Sequence, residues 1–73
     1  MANEAEILAE AERGEVVCVL YKVVGGRLGV EDAEGMAKDT LCQALCDRGL
    51  LRFHGWTGQR TSPFGMVSKW IKA

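Results

Sequence analysis

The sequence predicts a small α+β domain in which two to four helices are followed by a C-terminal β-hairpin. Three observations carry that expectation. From Val30 onward, Val30, Ala33, Ala37, Leu41, Ala44 and Leu45 recur at helical spacing. Leu50 to Trp56 alternates like a strand, and Met66 to Ile71 can return beside it across the turn-rich stretch Thr57–Gly65. The chain has 73 residues, of which 48% are hydrophobic, which suits one domain with one core spanning 1–73. A chain this short has little room for a deep catalytic pocket beside its core, so no enzymatic activity is expected.

Ala2 to Glu12 is rich in Ala, Glu and Leu, and Gly14 stops it. Its only large apolar residues are Ile7 and Leu8, so residues 1–13 are expected to form a peripheral helix. Val16 to Val24 is the most apolar run. Its five valines and Tyr21 favour a strand by propensity. The spacing of Val16, Val17, Leu20, Val23 and Val24 favours one face of a helix. Helix is the preferred reading, because Gly25-Gly26 then provides a C-terminal stop.

Gly25 to Gly29 reads as a turn with room for at most a very short strand near Leu28. In the helix that follows, Glu31, Asp32 and Glu34 lie in the first turn and Arg48 in the last, which matches the helix dipole. Gly49 stands where a left-handed cap is expected. Gly35 costs about 1 kcal/mol relative to Ala and marks a point where the helix can break in two. In the hairpin, Leu51, Phe53 and Gly55 fall on one side and Leu50, Arg52, His54 and Trp56 on the other. Met66, Ser68 and Trp70 share a face of the return strand, and a helix opening at Ser62-Pro63 is the rival reading there.

Charge is distributed unevenly. Residues 1–47 hold all ten acids and four bases (Arg13, Lys22, Arg27, Lys38), a net charge of −6. Residues 48–73 hold Arg48, Arg52, Arg60, Lys69 and Lys72 and no acid, a net charge of +5. Such a split points to an anionic partner, nucleic acid first, on the C-terminal side. The plainer reading is that the two halves neutralise each other across the fold.

No stretch approaches the ~18 apolar residues of a membrane span. The acidic start lacks the basic region of a signal peptide, so a cytoplasmic protein is expected. Three cysteines, Cys18, Cys42 and Cys46, then read as reduced thiols packed as small hydrophobes. Their spacing to one another and to His54, the single histidine, fits no zinc pattern. Cys42 and Cys46, one helical turn apart, are poorly placed for a disulfide. The glycines Gly25, Gly26 and Gly29 lack the spacing of a dinucleotide or nucleotide loop. No metal, cofactor or small-molecule substrate is expected.

Gly26-Arg-Leu-Gly-Val-Glu-Asp-Ala33, Thr40-Leu41 and Leu45-Cys-Asp-Arg-Gly-Leu-Leu-Arg52 resemble the corresponding parts of a winged helix-turn-helix domain of small bacterial or phage proteins. Thr57–Gly65 and Met66–Trp70 look like its basic wing and return strand. The resemblance spans roughly residues 14 to 72. Gly29 departs from it where the family has a capping Ser or Thr, and the link between the second and third helices is shorter here.

What the resemblance implies is a regulatory or accessory protein contacting double-stranded DNA. Lys38, Asp39, Cys42 and Gln43 would face outward on a recognition helix, Gln43 reading adenine and Lys38 reaching phosphate. The candidate nucleic-acid-binding residues are Lys38, Gln43, Arg48, Arg52, His54, Arg60 and Lys69, with the wing at 57–65 as the main electrostatic contact. The alternative is a protein-interaction module, small inhibitor or homodimer, in which Trp56 and Trp70 form the contact. A metal- or thiol-dependent switch built on Cys42 and Cys46 is a third reading.

Overall fold

The computed structural model describes residues 3–73, so Ala2, where the first helix is expected to begin, lies outside them. Six elements follow in the order α1 (Glu4–Arg13), β1 (Val16–Val24), β2 (Arg27–Glu31), α2 (Ala33–Asp47), β3 (Leu51–Gly58) and β4 (Met66–Lys72). The four strands form one antiparallel sheet in the order β2-β1-β4-β3. This corrects the winged-helix expectation. The domain is α+β, but its described residues form two helices and two hairpins rather than a helical bundle with a single hairpin at its end.

The decisive difference is at Val16–Val24, which is a strand and not a helix. Val16, Cys18 and Leu20 are buried, while Val17 and Val19 between them are 40% and 37% exposed. That period of two belongs to a sheet with one covered face. Valines occupy both faces, so the same residues also fall at helical spacing. Gly25 and Gly26 then close a two-residue hairpin, with φ of 55° and 76°, between the paired residues Val24 and Arg27. Two positive-φ residues are what such a turn demands, and glycine supplies them without strain.

α2 is a single helix that runs through Gly35. Gly35 is there for space: a Cβ at this position would overlap the carbonyl oxygen of Val19, so glycine lets the helix sit directly on β1. Asp32 caps the helix by accepting the Gly35 N–H at 3.1 Å. That hydrogen bond lowers the carboxyl below its usual range. At the other end, Leu50 N–H donates to Leu45 C=O and Gly49 N–H to Cys46 C=O, both at 2.9 Å. With Gly49 at φ 76°, this is the glycine-terminated stop expected from the sequence.

The core lies between the helices and one face of the sheet. It comprises Ile7, Ala11, Val16, Cys18, Cys42, Leu45, Leu51 and Trp70. Ile7 is wholly buried, so the first helix, expected at the periphery, packs its apolar side on this core. One large side chain suffices to anchor a ten-residue helix when Ala11, one turn on, lets it approach closely. Residues 66–72 form a strand, as the hairpin reading expected.

Candidate interaction surface

The residues expected to contact nucleic acid do not form one surface. α2 lies on the sheet, and its two candidate residues, Lys38 and Gln43, are engaged within the molecule. Lys38 Nζ is 3.0 Å from the Glu10 carboxylate and donates to Val17 C=O at 3.1 Å. Gln43 Nε2 donates to Asp39 Oδ2 at 2.7 Å. Asp39 and Cys42, expected to face outward, are both buried. The alternation of small and polar residues along α2 hides the side that meets the sheet.

The C-terminal cations are largely paired with acids from the N-terminal segment. Arg48 meets Glu4 at 2.9 Å, and Lys72 meets Glu12 at 2.7 Å. Lys69 approaches one oxygen of Glu15 at 3.8 Å, and the His54 ring lies 3.7 Å from the other. Arg52 and Arg60 make no ion pair among the described residues. The Arg60 guanidinium instead lies 5.4 Å from the centre of the Tyr21 ring. Exposed pairs of this kind add little stability, but they cancel much of the charge split along the chain.

A different group of side chains does converge. Phe53 packs edge-on against Trp56, with ring centres 4.9 Å apart at 61°, and against Trp70, at 5.1 Å and 68°. With Gln43 these rings line a shallow cleft of about 300 Å³. Phe53 is 43% and Trp56 54% exposed, while Trp70 is 5% exposed. Strict alternation would put Trp56 and Phe53 on opposite faces. A bulge prevents this: Phe53 pairs with Trp70, but the next paired residue is Gly55, with Lys69. His54 is the extra residue, and Trp56 then lies opposite Ser68 on the covered face. Gly55, at φ 111°, lets the backbone make this step.

The floor of the cleft is a buried polar network. Ser68 Oγ donates to Asp39 Oδ1 at 2.5 Å, and Trp70 Nε1 donates to the same oxygen at 3.3 Å. Gln43 satisfies Oδ2. A carboxylate buried in this way is tolerated because three donors replace its water. Among the described residues no buried side-chain nitrogen or oxygen lacks a partner. The network fixes Trp70 and Gln43, so two of the four cleft walls are held rigidly.

Cys18 and Cys42 lie in the core beside this network, with their sulfurs 3.7 Å apart. Contact with Cys18 and burial both push the Cys42 thiol up, so it stays protonated and packs as a small apolar group. Cys46 is half-buried and unbonded. No group of three or more metal-ligating side chains occurs among the described residues. None of their helices is long and apolar enough to cross a membrane.

Phe53 and Asp39 are the cleft residues that sequence reasoning missed as contributors. The signal for the first was Gly55, a glycine inside an alternating strand, which marks a bulge. Compared with protein-family models, with curated proteins and with solved structures, the chain matches none.

Proposed function

We propose that this domain is a protein-interaction module whose contact surface is the cleft of Gln43, Phe53, Trp56 and Trp70. The observation that carries this reading is the pair of half-exposed rings, Phe53 and Trp56, standing together on a hydrogen-bonded floor. Aromatic side chains on a rigid base are the commonest source of binding energy at protein interfaces, because they bury large areas at small entropic cost. The pairing of Lys38, Arg48, Lys69 and Lys72 with acids favours this reading over a duplex-DNA partner, which needs uncompensated positive charge.

A photo-reactive residue placed at Trp56, compared with one at the exposed Leu28 of β2, tests the proposal. Crosslinks to a discrete protein species from position 56 and none from position 28 are expected. Equal patterns at both positions, or none at either, would overturn it. So would duplex binding that weakens steeply with salt and with Arg52→Ala while Trp56→Ala leaves it unchanged.

A further inference from the structure

We infer that the partner of the aromatic cleft is a second copy of this chain, joined to the first along the outer edge of β3. The inference rests on the cleft being a contact surface. β3 is an edge strand of eight residues in the order β2-β1-β4-β3. It carries no Lys, Pro, Asp or Glu, side chains that ordinarily keep an edge from pairing, and the bulge at His54 is the protective device it does carry.

The direction of its backbone groups follows from the ladder. Ala73 N–H donates to Leu50 C=O at 3.3 Å, so Leu50 faces β4. Alternation then turns Arg52 towards β4, and Leu51 and Phe53 outward. On the far side of β4, Val17 C=O is taken by Lys38, so Val17 turns away from Lys69, its partner in register. Lys69 therefore bonds towards β3, where it pairs with Gly55. Gly55 and Thr57 face β4, which leaves Trp56 and Gly58 facing outward.

Any strand edge has self-complementary registers, and the side chains select among them. A two-fold axis between His54 and Gly55 sets Phe53 opposite the partner's Trp56, twice. Both residues lie on the covered face of the sheet, so the two clefts merge, and cross-strand aromatic pairs are among the most favourable a sheet can make. Leu51 then lies opposite the partner's Gly58, and Arg52 opposite the partner's Thr57. Because the bulged residue adds no length, the two copies of Arg52 stand four strand positions apart along the interface, roughly 13 Å at ~3.3 Å per residue. That exceeds the ~8 Å screening length at physiological salt, so like charges do not oppose the pairing. The two exposed rings offer about half of ~150–250 Å² each, well short of the ~1,200 Å² of a standard interface. The dimer is therefore weak and depends on concentration.

Sedimentation equilibrium of the full chain from micromolar to millimolar concentration tests this. A monomer–dimer equilibrium is expected, and Trp56→Ala should raise its Kd about tenfold or more. Trp56→Lys, which charges the edge, should abolish it, and Leu28→Ala on the opposite edge should leave it unchanged. Circular dichroism shows whether each variant is folded. A strict monomer, or a dimer indifferent to both changes at Trp56, would overturn the inference. If the chain is monomeric while a photo-reactive residue at position 56 captures a different protein, the interaction-module reading stands and the second-copy inference fails. If nothing is captured, both fail.

Discussion

Trp70 and Trp56 sit on neighbouring strands and the same face of the sheet, and both touch Phe53, directly in each case. Trp70 is covered by α2, and its indole N–H is held by Asp39 and Ser68. Trp56 lies beyond the helix on the edge strand and is more than half exposed. One indole is part of the fold and the other is available to a partner. What separates them is whether a helix residue reaches over the ring. Substitutions around the two should therefore act on different quantities.

The largest effect is expected at Asp39. Asp39→Ala leaves the buried Ser68 hydroxyl without its acceptor, at ~1–3 kcal/mol, and removes the carboxylate's hydrogen bonds with the Trp70 indole and the Gln43 amide, at ~0.5–1.5 kcal/mol each. A total loss of roughly 2–6 kcal/mol is large against the ~4–11 kcal/mol available to a domain of this size. Urea unfolding measures it. Asp39→Asn, which keeps one acceptor oxygen, should lose clearly less. Equal losses from the two substitutions would mean that packing, and not the hydrogen bonds, anchors Trp70.

Much of the anchored region was legible in the sequence. The α2 stripe, the Gly49 stop and the shared face of Met66, Ser68 and Trp70 follow from local periodicity and capping. The first hairpin was misread because Val17 and Val19 are apolar on the uncovered face, which blurs a period of two into a helical one. Gly25-Gly26, taken as a helix stop, is equally the signature of a two-residue hairpin turn. The ion pairs Glu4–Arg48 and Glu12–Lys72 join residues 44 and 60 positions apart, so a running count of charge cannot show them. The cleft depends on a one-residue slip at His54, and alternation counted from Leu50 places Trp56 on the wrong side from that point on.

Phe53 belongs to both regions, and its loss should be intermediate. Phe53→Ala removes two edge-to-face ring pairs worth ~0.5–1.5 kcal/mol each, so a loss of about 1–3 kcal/mol is expected. It also uncovers Trp70, whose fluorescence emission should shift to longer wavelength in the folded state. An unshifted emission would show that α2 alone shields Trp70, and that the cleft and the core are energetically separate.

The smallest effect on the isolated chain is expected at Trp56. An exposed side chain with one ring contact contributes ~0.5–1.5 kcal/mol, so Trp56→Ala should lower stability by no more than about 1.5 kcal/mol in dilute solution. The comparison sharpens when concentration is raised. A self-associating native state gains stability by mass action, whereas a non-associating one does not. The unfolding midpoint of the unaltered chain should therefore climb with concentration, and that of Trp56→Ala should stay level. Two curves with only that small offset when dilute, which draw apart when concentrated, would place the main role of Trp56 in association rather than folding. Parallel curves at every concentration would instead make Trp56 a second Trp70, held by the fold for the fold's own stability.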